Sequence, residues 1–201
     1  IALFSPPSFS AHPGGLPAMG SSSSSPVCED VILFPDKSLP CVHYVAGEAC
    51  TRKHCNFAHE ETGLVRVLNQ FKAARRSIDV CIFTLTCDEI SNALIAAHKR
   101  RVAVRVITDD AQMSTKGSDI QQLSAAGVLV RHDHSRALMH HKFSVIDRTV
   151  LLNGSFNYTR AAVLNNRENV VVDRSSRRAH AFTHEFEKLW KEFAQNKVPG
   201  K

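Results

Sequence analysis

Beyond about residue 60 the chain alternates between two kinds of apolar pattern, and this restricts the possible folds more than any other feature. Leu64, Val67, Leu68 and Phe71 recur at helical spacing, with Arg75 and Arg76 following where a helix dipole favours cations. Residues 78–85 read as a buried strand. Asp88 is placed to cap a helix carrying Ile90, Leu94 and Ile95, which ends in the basic run 99–101. Residues 102–107 read as a second strand, 118–126 as a helix stopped by Gly127, and 128–131 as a third strand. Residues 142–146 and 150–152 read as two strands joined by a turn at Asp147 and Arg148, and 169–172 as another strand. A closing helix carries Phe182, Phe186, Leu189, Trp190 and Phe193 on one face, a stripe that reads as core packing. Strands alternating with helices predict an α/β domain with helices on both faces of the sheet, and the adjacent late strands predict a mixed sheet.

Residues 1–27 have a different character. They are rich in Pro, Gly and Ser, cannot bury a core, and are predicted to be a disordered linker. Residues 28–60 are predicted to form a small cysteine- and histidine-bearing lobe, and 61–196 the main domain. The chain begins at Ile1, which reads as a fragment or a processed form; IALF could be the tail of a hydrophobic segment upstream, through which membrane association would be possible, but reads more readily as an ordinary disordered terminus. The formal charge of +6 favours anionic partners such as nucleic acid or acidic lipid without choosing between them. Six cysteines are too few and too unevenly spaced for a disulfide scaffold, and no apolar run reaches the ~18 residues of a membrane-spanning helix.

Chemistry concentrates where a strand opens with MHHKFSVID, residues 139–147. Alternation along a strand turns His140 and Lys142 to one face and His141 to the other. Asp147 faces away from that pair and is suited to tying down a turn or a neighbouring backbone amide. Next, LLNGSFNYT supplies Gly154 for a tight bend, then a hydroxyl at Ser155 and an amide at Asn157. Glu168, thirteen residues beyond Ser155, could accept the second ring proton of a histidine and fix its tautomer. The set suits a phosphate: Lys142, Ser155 and Asn157 hold oxygens while His140 supplies a nucleophilic nitrogen.

The string His140-x-Lys142, Asp147, Gly154-Ser155-x-Asn157, with Glu168 trailing, resembles the HKD signature of the phospholipase D superfamily. The resemblance implies a metal-independent phosphodiesterase. His140 attacks phosphorus to form a phosphohistidine, and a second histidine protonates the leaving oxygen and then activates water. The family's mechanism needs two such motifs and this chain has one. A homodimer with the active site at the dimer interface is therefore expected.

Upstream, Cys41, Cys50, Cys55 and His59 offer three thiolates and an imidazole, the ligand set of a closed structural zinc site. The spacing resembles a CCCH zinc finger, with four residues in the second gap where such fingers often have five. His43 and His54 compete for the fourth position, and Cys81 and Cys87 read as buried thiols. Tyr44 and Phe57 could stack on single-stranded bases or could pack against the domain.

A single HKD motif behind a zinc lobe resembles the mitochondrial phospholipase D group, which includes the Zucchini endonucleases. That likeness implies the outer mitochondrial membrane, facing the cytosol, and two substrates: single-stranded RNA and cardiolipin. Arg131, Arg136, Arg148, Arg160 and Arg167 flank the motif and could line a phosphate-tracking groove; equally they could meet lipid headgroups or be a solvated face. A lipase should present an apolar pocket or an interfacial segment, and none is legible. On that ground, and because of the zinc lobe, the expected substrate is single-stranded RNA, with cardiolipin hydrolysis as the alternative. A third reading, an inactive RNA-binding adaptor, is disfavoured by the intact His140, Lys142, Asn157 and Glu168.

Overall fold

The structure, a computed structural model, describes residues 29–200. The predicted linker 1–27, and Cys28, lie outside the described residues. In chain order the elements are β1 (Glu29–Leu33), α1 (Val42–Ala46), α2 (Gly63–Ala73), β2 (Ser77–Ile82), β3 (Leu85–Thr86), α3 (Asp88–Lys99), β4 (Ala103–Thr108), α4 (Asp110–Met113), α5 (Ile120–Ala125), β5 (Leu129–His132), β6 (Lys142–Ile146), β7 (Val150–Gly154), β8 (Tyr158–Thr159), α6 (Arg160–Leu164), β9 (Asn169–Asp173) and α7 (Ser176–Glu192).

Seven strands form one sheet in the order β1-β9-β7-β6-β2-β4-β5. β2, β4 and β5 run parallel, while β6, β7, β9 and β1 add as successive antiparallel neighbours. The sheet is mixed, as the late adjacent strands predict. Helices cover both faces. The larger core packs α2, α3 and α5 on one face through Leu64, Leu68, Phe71, Ile90, Leu94 and Leu123. On the other, α7 lays Phe182, Phe186, Leu189, Trp190 and Phe193 over Cys81, Ile107, Phe143, Val145 and Leu151. Burying a side chain of this size contributes about 1.5–3 kcal/mol, so the two faces together supply the main stabilising term.

Under α7 the sheet also buries charge. Asp79, 1 % exposed, receives both Nε (2.7 Å) and Nη2 (2.9 Å) of Arg105, whose remaining donors reach Glu187 at 2.7 and 3.2 Å. The guanidinium lies 4.8 Å from the Phe186 ring and 5.3 Å from that of Trp190. Burial raises the Asp79 carboxyl, opposed by Arg105, which keeps it bonded as an acceptor pair.

Local details depart from the sequence reading. The run 78–85 is not one strand: β2 ends at Ile82, and Leu85 and Thr86 pair instead with β8 in a separate two-stranded ladder. The break frees Phe83 and Thr84 to face the strand ends. Asp88 is not the cap of its helix; Cys87 holds that position, and Asp88 stands in the first turn with its carboxylate on Arg160 at 2.6 Å. Glu29–Leu33, within the predicted lobe, is the edge strand of the main sheet, paired with β9. The helix predicted over 118–126 spans Ile120–Ala125, with Gly127 at φ +91° just beyond it. Cys81 and Cys87 are buried thiols, as predicted. No helix among the described residues is long and apolar enough to cross a membrane.

Candidate active site

β6 runs antiparallel to β2, with Lys142 opposite Ile82, so the start of β6 meets the carboxyl ends of the parallel strands. β7 ends and β9 begins at this same edge, with Gly154 opposite Val170. His140, Lys142, Ser155, Asn157 and Glu168 are thereby gathered at one end of the sheet, where open α/β sheets place their ligands.

The first two side chains share a face, as the strand period requires. Lys142 Nζ lies 3.3 Å from His140 Nε2 and donates to the His140 carbonyl at 3.0 Å. An ammonium has donors and no acceptor, so this contact is a hydrogen bond in the tautomer whose lone pair is on Nε2 and whose proton is on Nδ1. Burial lowers the Lys142 ammonium slightly, and the Glu168 carboxylate opposes this. His141 turns the other way, against Phe143 and 3.9 Å from Glu185 of α7. Desolvation lowers its imidazole, with Glu185 opposing.

Beneath the pair lies Phe83, which sequence reasoning passed over. Its ring meets that of His140 edge-on at 4.7 Å and lies 5.4 Å from the Lys142 ammonium, while its amide donates to the His141 carbonyl at 3.0 Å. An aromatic residue directly following a buried strand that pairs with the motif strand was the available signal.

Glu168 does not bond His140. Its Oε2 accepts from Ser155 Oγ at 2.5 Å and its Oε1 from Asn166 at 3.0 Å, and Ser155 Oγ in turn accepts the Asn169 amide at 3.1 Å. This carboxylate thus fixes the Ser155 hydroxyl and sets the field at Lys142. Asn157 Oδ1 is buried with no hydrogen-bond partner among the described residues. Gly154 is required by a close approach and not by a bend: a Cβ there would lie 2.0 Å from the Asn169 carbonyl oxygen.

Asp147 stands at the opposite end of β6, roughly 15 Å along the strand from Lys142. With Arg148 it forms a two-residue turn in left-handed conformation, φ 51° and 60°, the geometry that right-twisted hairpins prefer. Its carboxylate accepts the amides of Arg75, Arg76 and Ser77 at 2.9, 2.7 and 2.9 Å. Burial alone would raise its carboxyl, but these three amides carry it below the ordinary carboxylate range.

The flanking arginines do not form one track. Arg160 is held by Asp88 and Glu89, Arg131 lies 4.0 Å from the Trp190 ring, and Arg148 sits by Glu187 at the far turn. Arg136 is exposed, and Arg167 bonds the Asn165 carbonyl at 3.3 Å. Next to His140 opens a cleft of about 480 Å³, lined by Asp133, Met139, His141 and the apolar side chains of Ala137, Leu138, Leu189 and Phe193. Leu138 is 61 % exposed at its rim.

Cys41, Cys50, Cys55 and His59 bring four ligand atoms within 4.8 Å of one another. A bridge between Pro40 and Ala58 closes the loop, with the Cys41 amide donating to the Ala58 carbonyl at 2.8 Å. Burial would raise the Cys41 thiol, yet the amides of Tyr44 and His43 and the neighbouring thiols carry it down to about 6. The Arg52 amide lowers Cys50, but burial and the other two thiols outweigh it and raise that group. One thiol is thus prepared to ionise beside a second that holds its proton, and a set of three thiols and one imidazole fits a soft divalent cation. His43 pairs with Glu48 at 3.3 Å, and neither His43 nor His54 belongs to the set.

The family model described as "Cardiolipin synthase, PLD-like domain" matches residues 67–190. A protein named mitochondrial cardiolipin hydrolase from Chlamydomonas reinhardtii is 42 % identical over 92 % of this chain and 82 % of its own. The Homo sapiens protein of the same name is 41 % identical over 71 % of this chain, which spans 57 % of that relative. Among solved structures, Nuc from Salmonella typhimurium, a phospholipase D family member, superposes with a TM-score of 0.69 at 24 % identity, covering 86 % of this chain and 99 % of that one. With His140, Lys142, Ser155, Asn157 and Glu168 gathered at one end of the sheet, these likenesses place the chain in the phospholipase D superfamily, as a phosphodiester hydrolase.

Proposed function

We propose that this chain hydrolyses an anionic phospholipid of the cardiolipin type through a phosphohistidine on His140. The observation that carries the lipid reading is the cleft beside His140, whose lining sets the apolar Ala137, Leu138, Leu189 and Phe193 among Asp133, Ser135 and Glu192, with Leu138 standing out at its rim. It supplies the apolar surface for acyl chains that is not legible in the sequence, and the names of the relatives point the same way. This reverses the order of substrates expected from sequence.

The diester's phosphate displaces Lys142 from His140 Nε2 and takes the ammonium as its own partner, together with the side-chain NH2 group of Asn157, while the Ser155 hydroxyl keeps its proton on Glu168. Nε2 attacks phosphorus; the P–N bond forms as the P–O bond to the leaving group breaks. A second imidazole gives that oxygen its proton, then takes one from the water that cleaves the P–N bond. The partner subunit's His140 supplies this second imidazole, which makes the active unit a homodimer. Asp147 has a structural role in this scheme. Cys41, Cys50, Cys55 and His59 would hold a zinc ion, which would cross-link the loop. The site of action follows the relatives' names to the mitochondrion, with membrane contact at the rim of the cleft.

A second reading, single-stranded RNA cleavage, is favoured by Phe57. It is 42 % exposed on a groove of about 460 Å³ that also carries Arg52, Lys72 and Arg100, a stacking platform among cations. Turnover on cardiolipin vesicles and on single-stranded RNA, with His140→Ala as control, separates the two. Phosphatidic acid release lost in His140→Ala, with RNA intact, is the expected result. His140-dependent RNA cleavage with lipid untouched establishes the second reading. RNA retention unaffected by His140→Ala, with no turnover of either substrate, returns the chain to an adaptor.

A further inference from the structure

The carboxyl ends of β4 and β5 carry a group of side chains that the reaction above does not use. The ligand atoms of Asp110, His132 and His134 lie within 4.8 Å of one another, and those of Asp109, Asp110 and Asp133 form a second such set sharing Asp110. His134 Nδ1 is 3.6 Å from Asp110 Oδ2.

Part of this group is already engaged. Asp109 accepts the Ala111 amide at 3.1 Å and the Met139 amide at 3.2 Å, so both its oxygens are used. Asp133 Oδ1 accepts the Asp110 amide at 3.0 Å. What is left over is specific. Asp133, 9 % exposed, has a buried Oδ2 with no partner among the described residues, and the buried His132 Nδ1 has none either. A carboxylate oxygen can only accept, so an orphan of this kind beside two further carboxylates costs stability unless a cation meets it. Burial raises the Asp133 carboxyl, and the charges of Asp109 and Asp110 raise it further.

We propose that this end of the sheet binds a second divalent transition-metal ion, held by Asp110, His132 and His134, with the carboxylates of Asp109 and Asp133 in the adjoining set that shares Asp110. Two imidazoles with carboxylates select a borderline cation of the zinc class over calcium or magnesium. Ligands about 2.0–2.1 Å from a tetrahedral ion stand roughly 3.4 Å apart; the Asp110–His134 spacing of 3.6 Å is near that value, and His132 closes in from within 4.8 Å. The site touches the reaction centre at two points. Asp133 lines the cleft beside His140, and Asp109 holds the amide of Met139, the residue before it. An ion here offsets two of the three carboxylate charges of Asp109, Asp110 and Asp133 and so weakens the wall's repulsion of an anionic diester.

The test is a cobalt(II) titration of the full chain, because cobalt reports its ligands. Binding at Cys41, Cys50, Cys55 and His59 gives a thiolate charge-transfer band in the near ultraviolet, whereas the second equivalent adds only visible ligand-field absorption. Asp110→Asn with His134→Ala is expected to abolish the second equivalent and keep the first; replacing groups that merely orient ligands weakens binding 10- to 100-fold, so removing two ligands does at least as much. His134 is exposed, and the single variant His134→Ala, which gives up one edge contact with the His132 ring, is expected to weaken the second ion at least about tenfold. One equivalent in the wild type, or a second equivalent that survives in both variants, overturns the site. A further arm rests on the proposed reaction: the second equivalent lowers the KM for a soluble anionic diester several-fold in the wild type and not in the variant. An unchanged KM with the ion bound overturns the electrostatic role and leaves the binding result to stand by itself.

Discussion

At the scale of single residues, His140 and Asp147 divide chemistry from architecture although both belong to one motif string. His140→Ala is expected to abolish diester turnover at unchanged melting temperature, since its ring is exposed and rests only on Phe83 and Lys142. Asp147→Ala leaves three backbone amides without their acceptor and is expected to cost about 1–3 kcal/mol, with turnover per folded molecule retained. The pH dependence has a definite sign. The folded-state carboxyl of Asp147 is depressed, so its stabilisation is complete above the unfolded value near ~3.9 and is lost as the pH falls through the lower folded value. Thermal melts of wild type and Asp147→Asn should therefore differ at neutral pH and converge well below pH ~4; a gap that persists in acid would refute the assignment. Gly154→Ala, with its Cβ driven against the Asn169 carbonyl, is expected to cost about 3 kcal/mol and to disturb Ser155 and Glu168 with it. The reactive pair was legible in sequence because a strand's period of two puts positions 140 and 142 on one face by itself. The role of Gly154 was not, since the carbonyl that crowds it comes from a strand fifteen residues later in the chain.

At the scale of elements, the parts readable in advance are those whose partners are close in sequence. The α2 and α7 stripes follow helical periodicity, and the β6–β7 hairpin follows from its turn. β3 and β8 were not visible: each has two residues, and their pairing joins segments more than seventy positions apart. The metal-type cluster at the ends of β4 and β5 was missed for the same reason, because neither half is a motif alone. The Asp79–Arg105–Glu187 group under α7 makes a prediction at this scale. Arg105→Ala leaves a carboxylate that is 1 % exposed without its cation and is expected to destabilise by about 3–5 kcal/mol in chemical denaturation. Replacing Asp79 and Arg105 together by apolar residues of similar size should recover most of that loss, since the penalty lies in the unpaired buried charge. A double variant as unstable as Arg105→Ala would show that the pair itself, and not its desolvation, holds α7 to the sheet.

At the scale of the whole molecule, the sheet edge presents one nucleophilic imidazole and one ammonium, half of what the proposed two-histidine reaction requires. His140 is solvent-exposed beside an open cleft, which leaves it accessible to a second copy of the same edge. A two-fold axis through that edge would pair the two imidazoles across one phosphate, as isologous dimers pair like with like. Subunit mixing decides the point. If each active centre draws one His140 from each subunit, equal amounts of wild type and His140→Ala, allowed to exchange, leave about one quarter of dimers with both imidazoles, and activity should fall to about a quarter of that of an all-wild-type sample at the same total protein. Independent sites would retain about half. The same shared centre requires specific activity to fall on dilution below the dimer dissociation constant, because a monomer carries the nucleophile without its acid. Sedimentation at the assay concentrations, run beside the mixing series, ties the loss of turnover to the loss of the dimer; a monomeric species with full turnover would place both proton transfers within one chain.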